Sequence, residues 1–89
     1  MELIEIKIKK NYPTEYIYSM SLAEIETILS VMRIGVKHLA LFQEETDRER
    51  LIQIYLELDK AFGERYKEGR ESELKKFLND VKRVKVLNS

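Results

Sequence analysis

The sequence predicts a small α+β domain, and three patterns of hydrophobic residues carry that prediction. An alternating segment opens the chain, long segments with helical periodicity follow, and alternation returns near the end. Alternation is typical of a half-buried strand, whereas spacings of three and four are typical of an amphipathic helix. With 89 residues, the chain is expected to form one domain, residues 1–89, around a single small core.

The first 21 residues carry the pattern of a β-hairpin. Ile4, Ile6 and Ile8 alternate with charged residues, which indicates a strand with one buried face. An Asn-Tyr-Pro turn signal follows within residues 10–14. The aromatic and β-branched segment 15–19 is then expected to pair back on the first strand.

Capping boxes mark the starts of two helices. Ser21 and Glu24 have the S-x-x-E spacing, in which each side chain accepts a hydrogen bond from the other residue's backbone N–H. The periodic residues behind them predict a helix from Leu22 to about Gln43. Segment 46–49 repeats the spacing and predicts a second helix, which ends between residues 63 and 69.

The connections between the predicted elements complete the fold. The loop Glu44-Glu45 is short, so the first two helices are expected to form an antiparallel helical hairpin. A third helix is predicted from Arg70 to Asp80, with Ser72 as a candidate N-cap, and segment 83–86 alternates as a short strand. The complete prediction is a small antiparallel sheet, formed by the N-terminal hairpin and the C-terminal strand, packed on the helical hairpin and the third helix.

The first helix is apolar over more than half of its circumference, which is wider than a surface helix needs. In one interpretation this helix is central, and the rest of the chain covers it on several sides. In the other, part of its surface pairs with a second chain, most simply in a two-fold homodimer. The stripe expected to face the core is Leu22, Ile25, Leu29, Met32, Val36 and Leu39, and the candidate interface is Val31, Ile34, His38 and Leu41.

Gly35 lies in the middle of this helix, where glycine costs about 1 kcal/mol relative to alanine. A glycine there indicates a close helix crossing. We expect the crossing to lie within the chain, and a crossing at an interface is the alternative.

Three tyrosines lie within seven residues of the predicted hairpin: Tyr12, Tyr16 and Tyr18. Tyrosine is enriched at protein interfaces, so the group is a candidate docking patch. The alternative is that these side chains pack on the sheet.

Composition and motifs argue against a catalytic or metal-dependent function. The chain holds no Cys and one His, so thiol catalysis and thiolate metal sites are excluded. It has no zinc-protease, calcium-loop or phosphate-loop motif, and His38 lies in an apolar segment. We therefore predict no catalytic residue, metal or cofactor. A pocket lined by Arg33, Lys37 and His38 would be the feature that indicates an enzyme or a small-molecule binder instead.

Charge leaves one alternative function open. Sixteen Lys and Arg balance sixteen Asp and Glu, which excludes a strongly basic nucleic-acid-binding protein. The basic residues nevertheless concentrate near the two ends of the chain, and pairing of the terminal strands would join them beside the tyrosines as a site for single-stranded nucleic acid. The residues of this candidate site are Lys7, Lys9, Lys10, Lys82, Arg83 and Lys85.

The sequence shows no targeting or membrane-spanning segment. The N-terminus alternates charged and apolar residues, and the longest apolar stretch, residues 22–42, carries four charges. We expect a cytoplasmic protein that does not insert into membranes.

The segments ELIEIKIK, EYIYSMSLAEIETIL and LIQIYLELDKAF resemble small uncharacterised proteins of phages and low-GC Gram-positive bacteria. The resemblance covers residues 2–67, rests on a capping box and periodic apolar positions, and carries over no functional residue. It implies a strand or hairpin followed by a capped helical hairpin, and a phage-encoded protein that binds and inhibits a host protein. The function predicted is a non-enzymatic protein-binding module that forms a homodimer.

Overall fold

The α+β fold class is confirmed. The computed structural model describes residues 3–9, 15–63 and 70–88, and helices pack against strands throughout them. The elements in chain order are β1 (Leu3–Lys9), β2 (Glu15–Ser21), α1 (Leu22–Lys37), β3 (Leu41–Glu44), α2 (Glu45–Gly63), α3 (Arg70–Arg83) and β4 (Lys85–Asn88).

The predicted hairpin is present. β1 pairs antiparallel with β2, from Leu3 opposite Ser21 to Lys9 opposite Glu15. Ile4 and Ile6 are buried on one face of β1, and that face packs against α2 while β2 packs against α1. The alternation in the sequence therefore separates the core side of the hairpin from its solvent side.

The first capping box also forms as predicted. The Ser21 backbone N–H donates to Glu24 Oε1 at 3.1 Å, and the Glu24 backbone N–H donates to Ser21 Oγ at 3.3 Å. The hydrogen bond from the Ser21 backbone lowers the pKa of the Glu24 carboxyl, because it stabilises the charged form. These contacts fix the point at which β2 becomes α1.

The predicted length of the first helix is wrong. α1 ends at Lys37, His38 is its C-cap, and the chain then forms β3 where the sequence predicts helix to Gln43. The position of Phe42 explains the change. At about 100° per residue, a continued helix would place Phe42 about 100° round the axis from Ile25, off the buried face. The extended strand instead buries Phe42, which is 7% exposed.

The second helix starts one residue earlier than the predicted cap. α2 begins at Glu45, and the Glu44 backbone N–H donates to Asp47 Oδ2 at 3.3 Å. Thr46, the predicted cap, instead donates its hydroxyl to Glu44 Oε2 at 3.3 Å. Residues 38–44 thus contain a strand, and α1 and α2 are not joined by the predicted two-residue loop.

The predicted partner of the C-terminal strand is also wrong. β4 pairs in parallel with β3, in a second two-stranded sheet separate from β1–β2. The cause is the direction of α3. Arg33 meets Glu73, and farther along both helices the ends of α1 and α3 line one depression. The helices therefore run in the same direction, and the strands that follow them emerge side by side.

The third helix extends beyond its predicted end at Asp80. It runs to Arg83, takes in the start of the predicted strand, and places Ser72 inside its first turn. Together, α2 and α3 form the crossover that a parallel strand pair requires. The Arg48 guanidinium on α2 donates to the Val84 backbone carbonyl and lies over the Phe42 ring, which connects α2 to both strands of the parallel pair.

One core joins all three helices and both sheets. At its centre the Tyr55 ring stacks on Phe77, with ring centroids 3.8 Å apart and planes 10° from parallel. The hydrophobic side chains of the core are Ile4, Ile6, Ile25, Leu29, Val36, Phe42, Tyr55, Leu58, Phe77, Val81 and Val84.

Candidate interaction site

Helix α1 has a buried inner face and an exposed outer face. Ile25, Leu29 and Val36 point into the core, and Leu22, Ile28 and Met32 pack partly against it. About 180° round the helix from the core, Val31 is 62% exposed and Ile34 is 61% exposed. The described segments cover the inner face of α1 and leave the outer face open. The exposed residues of the outer face are Ala23, Glu24, Thr27, Val31, Ile34, Gly35 and His38.

Gly35 shows that the predicted close crossing within the chain is wrong. A Cβ placed on Gly35 has no heavy atom of another element within 4 Å, and the residue is exposed. None of the described segments therefore requires glycine at this point of α1. No contact among the described residues compensates for the cost of about 1 kcal/mol that a mid-helix glycine carries relative to alanine.

Thr27 is a polar residue of the outer face whose side chain is already hydrogen-bonded. Its hydroxyl donates to the Ala23 backbone carbonyl at 2.8 Å, so its donor is satisfied within α1. A partner could cover Thr27 without leaving that donor unpaired. The outer face is thus suited to burial despite its exposure.

Exposed apolar side chains continue this surface beyond the C-terminus of α1. Leu39, which the sequence places on the core stripe, is instead 40% exposed, and Leu41 on β3 is 43% exposed. His38 lies exposed between them and the helix. The four residues of the predicted interface, Val31, Ile34, His38 and Leu41, are therefore all exposed, and their role as an interface stays a prediction.

The tyrosine patch is only partly visible. Tyr18 on β2 is 42% exposed, whereas Tyr12 lies outside the described residues, as does the side chain of Tyr16. The docking role of these tyrosines stays a prediction.

The strand pairing on which the nucleic-acid site depends is not formed. Lys7 lies on β1 and Lys85 on β4, in separate sheets, and Arg83 belongs to α3. Lys7, Lys82, Arg83 and Lys85 are exposed, while Lys10 and the side chain of Lys9 lie outside the described residues. The two basic segments are therefore not joined by a shared sheet.

A polar network that the sequence does not reveal ties the three helices together beside the inner face of α1. Arg33 Nη1 donates to Tyr55 Oη at 3.2 Å, Nη2 donates to Ser30 Oγ at 3.0 Å, and Nε pairs with Glu73 Oε2 at 3.3 Å. Burial raises the pKa of the Tyr55 phenol. The partners of Arg33 come from α1, α2 and α3, so helical periodicity along one segment gives no signal for them.

Two adjoining depressions run between α1 and α3. The first, of about 230 Å³, is lined by Arg33 and Lys37 of α1 and by Lys76 of α3, among others. The second, of about 380 Å³, shares Lys37 with it and reaches Arg83. Of the three residues that would indicate a ligand pocket, Arg33 and Lys37 line this groove and His38 lies outside it.

Two further observations concern metal binding and membrane insertion. Within residues 3–9, 15–63 and 70–88, no three or more His, Asp or Glu side chains are grouped to hold a metal ion. None of the helices there combines the length and apolar composition needed to cross a bilayer.

Comparison with protein-family models, with curated proteins and with solved structures gives no match to this chain.

Proposed function

We propose that the protein is a non-enzymatic protein-binding module that forms a two-fold dimer through the outer face of α1. The observation that carries this proposal is an exposed helix face on which Val31 and Ile34 are both more than 60% exposed and Gly35 lies beside them. Exposed apolar surface of this kind marks protein interaction sites. No segment of the described chain approaches Gly35. A close approach by a helix of a second copy would explain why a glycine stands at this position.

The two ends of the outer face favour a second copy in antiparallel orientation. Glu24 lies on this face in the first turn of α1, and His38 lies on it at the C-cap. Antiparallel pairing sets the Glu24 carboxylate of each copy beside the His38 imidazole of the other, whereas parallel pairing sets the two Glu24 carboxylates together. The same sequence thus supplies both halves of a complementary surface.

A two-fold axis at Val31 gives this pairing a definite register. Val31 then faces Val31 of the second copy, and Thr27 faces Gly35. Because Gly35 has no side chain, the two helices can approach closely where Thr27 packs, and the Thr27 hydroxyl is already satisfied by its own helix. The small and the apolar residues of the face therefore complement each other across the axis.

The size of the interface requires more than α1. A stable interface buries about 800 Å² on each partner, and α1 is only about 24 Å long at 1.5 Å per residue over its 16 residues. Leu39 and Leu41 extend the apolar surface past the end of the helix. We therefore include them in the dimer interface.

Sedimentation velocity across a range of protein concentrations tests the dimer. We expect the unmodified protein to reach twice the protomer mass of 10.6 kDa. Val31→Asp and Val31→Lys should both be monomeric, because each places two like charges face to face at the axis. Leu56→Asp on α2 is the matched control, since Leu56 is 41% exposed and lies outside α1, and it should remain dimeric.

The pair of charge variants distinguishes self-association from other interactions. A surface that binds itself is disrupted by either sign of charge, whereas a charged site on a different protein tolerates one sign better. An unmodified protein that stays monomeric, or a Leu56→Asp variant that dissociates as fully as Val31→Asp, contradicts the proposal. Circular dichroism establishes that every variant is folded.

A further inference from the structure

We infer that the groove between α1 and α3 binds a small phosphate-type anion of two or more negative charges at Lys37 and Lys76. The groove adjoins the outer face of α1 at Ile34 and Leu39, but Lys37 and Lys76 lie outside the proposed dimer interface. The argument rests on which charges in the groove are already paired.

Both carboxylates of the groove are held by arginines. Glu73 pairs with Arg33 at 3.3 Å, and Asp80 pairs with Arg83 at 3.8 Å. Lys76 lies three residues after Glu73 and four before Asp80, where either carboxylate is within reach on a helix. Because both are engaged by arginines, Lys76 makes no ion pair with any described residue.

Lys37 adds a second cation from the opposite wall. It lines the same depression as Lys76, and it too has no ion-pair partner among the described residues. Four cations and two carboxylates thus line the two depressions, which leaves an excess of two positive charges. A dianion between Lys37 and Lys76 would balance that excess.

The groove also contains a neutral hydrogen-bond donor and a rigid aromatic side chain. Ser30 Oγ accepts from Arg33 Nη2, so its own O–H is free to donate into the groove. Phe77, which is 1% exposed, forms part of the lining and is held by the stacked Tyr55 ring. Two ammonium groups and a hydroxyl are donors suited to phosphate oxygens. The volume of about 230 Å³ admits a small ligand.

Titration with inorganic pyrophosphate, followed by amide NMR shifts at constant ionic strength, tests the site. We expect saturable shifts at groove residues such as Ser30 and Phe77. Lys37→Gln and Lys76→Gln should each weaken binding by about tenfold or more, the effect of losing one charge-assisted contact. Lys75→Gln is the matched control, because Lys75 is exposed, is the neighbour of Lys76 and does not line the groove.

Three outcomes would overturn the assignment. They are the absence of saturable shifts, an equal loss in Lys75→Gln and Lys76→Gln, and binding of a single-stranded oligonucleotide but not of pyrophosphate through Lys37 and Lys76. The last result would identify a nucleic-acid backbone as the source of phosphate. Val31→Asp should dissociate the dimer and still bind pyrophosphate, so failure of the groove and failure of the dimer are distinguishable.

Discussion

The two faces of α1 are made of similar residues but have opposite surroundings. Ile25 on the inner face is fully buried, whereas Val31 and Ile34 on the outer face are more than 60% exposed. Both faces carry large aliphatic side chains, so these residues alone do not separate the two faces. The difference lies in what the remaining elements can reach: the hairpin, α2 and α3 cover the inner face and one flank, and no described segment covers the outer face.

Truncation of one residue on each face should give the largest contrast. Ile25→Ala is expected to lower the free energy of unfolding by about 2–5 kcal/mol, because it leaves a cavity in the core. Val31→Ala should change the stability of the protomer by less than about 0.5 kcal/mol. Chemical denaturation at concentrations below dimer formation measures both.

A milder variant keeps this comparison measurable if Ile25→Ala does not fold. Ile25→Val should cost about 0.5–1.5 kcal/mol. Equal losses for Ile25→Val and Val31→Ala would show that the two faces of α1 are buried alike in solution.

Loss of the N-cap of α1 should give the next largest decrease in stability. Ser21→Ala removes the side chain that accepts the Glu24 backbone N–H, and loss of such a cap costs about 1 kcal/mol. The Glu24 pKa is lowered in the folded state by the Ser21 backbone, so its contribution is present above the ordinary carboxyl pKa and is lost as pH falls through the lowered value. In the acid range, the free energy of unfolding of Glu24→Gln should therefore change less with pH than that of the unmodified protein. Glu26→Gln is the control, since Glu26 is exposed and lies outside the cap.

At the boundary between the two faces, Tyr55 joins the core to Arg33. Tyr55→Phe removes the acceptor of Arg33 Nη1 and should cost about 1 kcal/mol. Burial raises the Tyr55 pKa, so its contribution to stability is complete below about pH 10, the ordinary tyrosine value, and is lost as pH rises through the folded value. As pH rises, the free energy of unfolding of Tyr55→Phe should therefore fall less steeply than that of the unmodified protein.

Tyr18→Phe is the control for this alkaline transition, because Tyr18 is 42% exposed. Denaturant midpoints between pH 8 and pH 11 measure the effect. If Tyr18→Phe flattens the pH dependence as much as Tyr55→Phe does, burial of Tyr55 is not its cause.

The sequence predicts local features well and long-range ones poorly, and α1 shows both. Ser21 and Glu24 are three residues apart, so their capping box can be recognised from spacing alone. The end of the helix depends on how Phe42 reaches the core, which lies beyond local periodicity. The parallel pairing of β3 with β4 depends on the direction of α3, and the Arg33 network joins residues from three helices. The exposure of Val31 and Ile34 is likewise set by which segments fold over α1.

Gly35 provides the smallest change in stability and the sharpest test of the outer face. Since a Cβ at Gly35 meets nothing within 4 Å, Gly35→Ala should stabilise the protomer by up to about 1 kcal/mol through helix propensity. If a second copy packs against Gly35, the same methyl group should weaken the dimer. A stability gain together with weaker association, measured by denaturation of the monomer and by sedimentation, requires a contact outside the chain. A gain in both would mean that nothing approaches Gly35, and the α1 interface would have to lie elsewhere.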